Sequence, residues 1–139
     1  MSPRFLLDTN TVSEPVRDVP SLGVVKKMKT HGSEMAIATV VWHELLFGIE
    51  RLEKSKKRDK LQQYFSSSVH AVMTFFSYDE KAAHWHALER ARLQKLGIQV
   101  PFADFQIAAI AYTNDLILVT RNERDFKHLK GLKVENWFV

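Results

Sequence analysis

The sequence predicts a three-layer α/β/α sandwich built on a central parallel sheet. Three observations predict it. Short aliphatic runs alternate with longer segments of helical periodicity. The runs are apolar throughout rather than alternating, as strands covered on both faces are. Polar or acidic residues close most of them. A chain of 139 residues with 45% hydrophobic residues is sufficient for one core, and no Pro/Gly/Ser-rich linker divides it, so residues 1–139 read as a single domain.

Phe5 to Leu7, closed by Asp8, reads as the first buried strand. Asn10 or Thr11 caps a short helical turn that Pro15 limits. Leu22 to Met28 belongs to a helix ending near Gly32, and Met35 to Ala38 forms the second strand. Thr39 then caps a helix whose Val41, Leu45, Ile49 and Leu52 recur at helical spacing. Lys54 to Val72 reads as a basic helix with Leu61, Tyr64, Phe65 and Val69 on its inner face, and Val72 to Phe76 as the third strand. Ser77 and Glu80 fit a capping box that opens a helix closed by Gly97. Pro101 suits the first position of a helix running to about Asn114. Leu116 to Val119 is the clearest strand of all, and Lys133 to Phe138 adds an edge strand. In such sheets ligands collect at the carboxyl ends of the strands, where Asp8 and the segment from Thr120 to Asp125 lie.

Composition narrows the function classes. The net charge of +4 favours a polyanionic partner only weakly. Zero cysteines exclude disulfides and thiolate metal sites, which fits the cytoplasm. No apolar run is long enough to span a membrane, and the N-terminus lacks the apolar region and cleavage site of a signal peptide.

Four acids carry the chemistry: Asp8, Glu44, Asp104 and Asp125. A carboxylate beside a core must be paired, hydrogen-bonded or metal-bound. Asp8 has the simple alternative of capping the next turn, but Thr9 and Asn10 make that role redundant. Glu44 lies among Val40, Val41, Leu45 and Leu46, which suggests partial burial. Asp104 falls at about the fourth position of a nearly all-apolar helix, where the dipole favours its charge. Asp125 has Glu123 as a rival, and Thr120 and Asn122 are placed to orient it. Gathered on one rim of a sheet, such acids make a hard oxygen site for Mg²⁺ or Mn²⁺, and with it phosphodiester chemistry.

These residues resemble the PIN-domain nucleases, and within them the VapC toxins of type II toxin–antitoxin pairs. The matching pieces are Phe5-Leu6-Leu7-Asp8-Thr9-Asn10, Glu44-Leu45 with Gly48 following, Asp104 with Ile107-Ala108-Ala109, and Leu118-Val119-Thr120-Arg121-Asn122 leading to Asp125-Phe126. They occur in order and cover essentially the whole chain. The resemblance implies a Mg²⁺- or Mn²⁺-dependent endoribonuclease in which Asp8, Glu44, Asp104 and an acid after the fourth strand surround the metal. It implies products with a 5′-phosphate and a 3′-hydroxyl. It also implies a homodimer and a VapB-like antitoxin that plugs the site. The alternative is a PIN-fold protein that binds RNA or a partner without cleaving it.

Other motifs fail on spacing. His43-Glu44 lacks the second histidine of a zincin, since Phe47 stands there. His84 and His86 point about 200° apart on a helix and read as surface or stacking residues. A response-regulator receiver needs paired acids after its first strand, where this chain has one. The basic run Lys54, Lys56, Lys57, Arg58 and Lys60 reads first as a solvated helix face and second as a platform for RNA phosphates. Trp42, Trp85 and Trp137 suit core, interface or base stacking equally.

Overall fold

The computed structural model describes residues 2–139. Five strands pair in parallel in the order β3-β2-β1-β4-β5: β1 Phe5–Leu7, β2 Met35–Ala38, β3 Thr74–Phe76, β4 Ile117–Val119 and β5 Val134–Glu135. The expected parallel α/β/α architecture is the one that forms. Every residue of β1 and β2 is buried, so both faces of the sheet centre are covered. The cover comes from α1 Thr9–Ser13, α2 Leu22–Thr30, α3 Thr39–Glu50, α4 Lys56–Tyr64, α5 Glu80–Lys95, α6 Phe102–Thr113 and the short α7 Glu123–Phe126. Helix α6 packs against α5 and also against α3, which in turn touches α1. Its run Phe105, Ile107, Ala108, Ala109, Ile110 and Ala111 is wholly buried, and the small residues permit that close approach.

Several local expectations are corrected. The third strand begins at Thr74, because Val72 is exposed and Val69 still belongs to the preceding helical segment. The edge strand shrinks to Val134–Glu135, where Asn136 turns the chain by accepting from the Phe138 amide at 2.9 Å. The basic helix ends at Tyr64 and continues as a π-helical turn, Phe65–His70, which keeps Phe65 and Val69 in the core. Thr39 is the first residue of α3 rather than its cap; Ala38 precedes it and offers no side chain for the purpose. Asp79, not Ser77, caps α5, accepting from the Ala82 amide at 3.0 Å. Pro101 stands just before α6 rather than at its first position. Gly97 closes α5 as expected, with φ +72°.

A buried carboxylate fixes the last part of the chain. Both Glu89 oxygens accept from Arg92, each at 2.7 Å, and Oε2 also accepts from the Lys130 amide at 2.8 Å. Arg92 donates again to the His128 carbonyl at 2.7 Å, so α5 grips the segment that follows α7. The Arg92 hydrogen bonds hold the Glu89 carboxyl below its ordinary pKa, against the opposing effect of burial. A depressed carboxylate contributes stability that is present above its unfolded pKa and lost as pH falls through the folded one. Glu89→Gln should therefore cost roughly 1.5–3 kcal/mol near neutral pH. The gap from wild type should close as pH falls below the ordinary value of 4.5. Urea melts of both proteins across that range check it, and a gap independent of pH refutes the ionic clamp.

Candidate active site

The chain leaves β1 for β2 and β3 on one side and returns to β4 on the other, so the sheet reverses its order between β1 and β4. The carboxyl ends of strands at such a reversal leave a crevice between the connections. Register pairs Leu7 with Val119, which sets Asp8 and Thr120 side by side at that crevice. The Asp8 amide donates to the Val119 carbonyl at 3.0 Å.

Both oxygens of Asp8 are held. Oδ1 accepts from the Thr11 amide at 3.0 Å and from the Thr11 hydroxyl at 2.9 Å, while Oδ2 accepts from the buried Thr120 hydroxyl. Asp8 is thus the cap of α1, a role expected to be redundant and assigned to Asn10 or Thr11. One oxygen serves the helix and the other accepts from the residue that follows β4. Thr120 likewise orients Asp8 rather than Asp125, whose amide bonds to the Asn122 carbonyl instead.

Glu44 is exposed, contrary to the partial burial expected of it. Its sequence neighbours are apolar, but the helix turns Val41, Leu45 and Ile49 inward and Glu44 outward. Its Oε2 accepts from the Thr9 hydroxyl at 2.7 Å, which ties α3 to the start of α1.

Asp104 lies in the first turn of α6, at the third position rather than the fourth, and is half-buried. Burial pushes its pKa up, and the charges of Asp125, Glu44 and Asp8 push it further. The other three sequence-predicted acids therefore all act on Asp104 through space. Glu123 is not among the groups that act on Asp104, whereas Asp125, exposed on the short α7, is. Among the described residues no three acids or histidines are grouped closely enough to hold an ion unaided. The arrangement is an open ring of oxygen donors.

Three hydroxyl residues, Thr9, Thr11 and Thr120, do the positioning at this rim; sequence marks the first two only as caps and the last as a neighbour of Asp125. The signal was available for Thr11, which stands at the spacing from Asp8 that a capping carboxylate serves. Other candidates fall elsewhere. His86 is buried rather than at the surface, and stacks against Phe105 with ring centroids 4.4 Å apart. His84 is exposed. Trp137 is core, stacked on His31; Trp85 stacks on Tyr112 and Trp42 packs edge-on to Phe75. The lysines of the basic run are exposed, and Arg58 is spent on the Leu52 carbonyl at 2.9 Å. No helix among the described residues is long and apolar enough to cross a membrane.

Comparison with known proteins agrees with this geometry. Residues 5–132 match the PIN domain family. The tRNA(fMet)-specific endonuclease VapC of Shigella flexneri is 30% identical over 96% of this chain and 98% of its own length. The crystal structure of FitAcB from Neisseria gonorrhoeae superposes with a TM-score of 0.88 at 28% identity, covering 96% of this chain and 98% of that one. The DNA-bound VapBC structure from Salmonella typhimurium gives a TM-score of 0.84 at 27% identity, covering 97% of this chain and 98% of that one. With the fold and nearly the whole length in agreement, this chain belongs to the PIN-domain family, among the VapC ribonuclease toxins.

Proposed function

We propose that this protein is a divalent-metal-dependent endoribonuclease, with Asp8, Glu44, Asp104 and Asp125 as its catalytic acids. It serves as the toxin of a type II toxin–antitoxin pair. The observation that carries the reading is the raised pKa of Asp104, caused by burial and by the other three carboxylates at the strand reversal. Such crowding of like charges is costly unless a cation relieves it.

The donor set fits Mg²⁺ or Mn²⁺. Every side chain in the ring offers hard oxygen, and the looseness of the grouping suits Mg²⁺, which keeps several waters and takes one or two carboxylates. Asp8 and Asp104 would hold the ion, with Glu44 and Asp125 completing the ring directly or through water. When bound, the ion supplies charge stabilisation to the phosphodiester undergoing hydrolysis. The chain supplies the rest. Thr11 and Thr120 lock the Asp8 carboxylate in one orientation, and Thr9 steadies Glu44. Glu44 and Asp125, both exposed to solvent, orient the attacking water and receive its proton.

The protein's partners are RNA, a VapB-like antitoxin and a second copy in a homodimer. An apolar segment of the antitoxin has a place to pack: a cavity of about 190 Å³ lined by Trp42, Leu46, Ile49, Phe65 and His70, beside the exposed Phe47.

The test is metal dependence. Purified protein should cleave RNA with Mg²⁺ or Mn²⁺, lose activity in EDTA and recover it when the metal is restored. Undiminished cleavage in chelator would overturn the mechanism.

A further inference from the structure

A cavity near the first turn of α6 is lined by none of the four acids. It measures about 400 Å³ and is lined by residues that include His86, Arg90, Gln94, Gln99, Phe102 and Phe105. His86 is only 3% exposed, and its Nε2 is buried without any hydrogen-bond partner. Such a group in a native protein calls for an explanation. The other ring nitrogen is spent: Nδ1 lies 2.8 Å from the Tyr78 hydroxyl. With the Tyr78 hydroxyl donating to Nδ1, the neutral ring carries its own proton on Nε2, which is then an unused donor.

The rest of the lining has one chemical character. Arg90 lays its guanidinium over the Phe102 ring, 5.5 Å from the centroid. Phe102 is itself 55% exposed and tilts against His86 at 5.1 Å. Gln94 and Gln99 add amides that donate and accept. Aromatic walls select a planar ring. A cation and an orphaned N–H select acceptors on its edge. The volume lies within the usual range of ligand pockets. A carboxylate or free phosphate would satisfy Arg90 but waste the aromatic walls and both amides. An unpaired guanine, with its adjacent O6 and N7 acceptors and a flat face, uses all of them.

Phe102 in the cavity wall and Asp104 both belong to the first turn of α6. We propose that this cavity receives one unstacked guanine base of the RNA substrate, with Phe102 stacking it and Arg90, Gln94 and the orphaned His86 nitrogen reading its edge. The proposal rests on the ribonuclease reading above, and it makes these residues determinants of where cleavage falls.

Two experiments separate it from that reading. Guanosine and cytidine monophosphates are titrated into the full chain in EDTA, where no cleavage occurs, and the imidazole nitrogen signals of His86 are followed by NMR. Guanosine monophosphate should shift Nε2 and bind about tenfold more tightly than its cytidine counterpart. Gln94→Ala, at an exposed position that folding does not depend on, should weaken that binding roughly 3- to 10-fold. In the second experiment, cleavage of a randomised RNA with Mg²⁺ should show a guanine preference at one fixed position near the cut, which Gln94→Ala reduces by a similar factor. Equal response to both nucleotides, or none, overturns the guanine site. So does a His86 signal that changes with protein concentration alone, which would show a second copy filling the cavity. Guanosine binding without any metal-dependent cleavage would instead spare the cavity and refute the nuclease.

Discussion

Asp104→Asn should reduce RNA cleavage by about a thousandfold or more while leaving the fold at least as stable as before. The activity loss follows from the chemistry: a bound cation contributes several kcal/mol of charge stabilisation, and about 1.4 kcal/mol is a factor of ten in rate. The stability expectation follows from the electrostatics. Burial and three neighbouring carboxylates already disfavour the charged form of Asp104. In metal-free buffer the neutral amide removes that repulsion, so the melting temperature should stay or rise, by about 3–5 °C for each ~1 kcal/mol relieved. Asp8→Asn should abolish cleavage similarly, but its stability outcome is less favourable, because its oxygens also accept from Thr11 and Thr120. Cleavage of a defined RNA and melting with and without Mg²⁺ check both. If Asp104→Asn instead unfolds the protein, the carboxylate is there to complement the dipole of α6, and the assignment of the site is wrong.

The second large effect concerns the antitoxin. The acids around Asp104 concentrate negative charge on a chain whose net charge is +4. An arginine is suited to pair with them, since a planar guanidinium pairs two carboxylate oxygens at once and can stand where the metal would. The antitoxin should therefore inhibit by placing a basic side chain against Asp8, Glu44 or Asp104, with apolar residues of the same segment along Trp42 and Phe47. Breaking a buried pair from one side costs about 3–5 kcal/mol, so neutralising that one residue should weaken the complex by roughly two to four orders of magnitude or restore its ribonuclease activity. Titration of antitoxin variants against both readouts decides it. Full inhibition by an antitoxin with every tail arginine and lysine replaced would mean that access of RNA is blocked some other way.

The sheet was legible because its strands are buried on both faces, and continuous apolar runs such as Met35–Ala38 and Ile117–Val119 admit few other readings. Helix starts were not. Ser77 and Asp79 are both good caps, and which one serves depends on where β3 lets go of the chain, which is set by pairing with β2. The same holds for Asp8, whose capping bond exists because α1 begins directly after β1. Glu44 was misjudged by reading sequence neighbours as spatial neighbours, an error that helical geometry corrects. The proposed acids drew attention because Asp8 ends an apolar strand, Asp104 opens an apolar helix and Glu44 has apolar sequence neighbours. The cavity at His86 did not, because it is made from α5 and the chain approaching α6, and periodicity says nothing about a void between elements.

The hydroxyl that completes the hold on Asp8 belongs to a residue 112 positions further along the chain. During synthesis, at about 5–20 residues per second, Thr120 follows Asp8 by roughly 6 to 22 seconds. The central strand must wait for β4 before its second neighbour arrives, and Asp104 and Asp125 are also made late. A ribosome-bound or prematurely terminated chain ending before β4 thus lacks Thr120 and Asp125, and its β1 has only one partner. A chain shortened to end before β4 should therefore cleave no RNA, whatever metal is supplied.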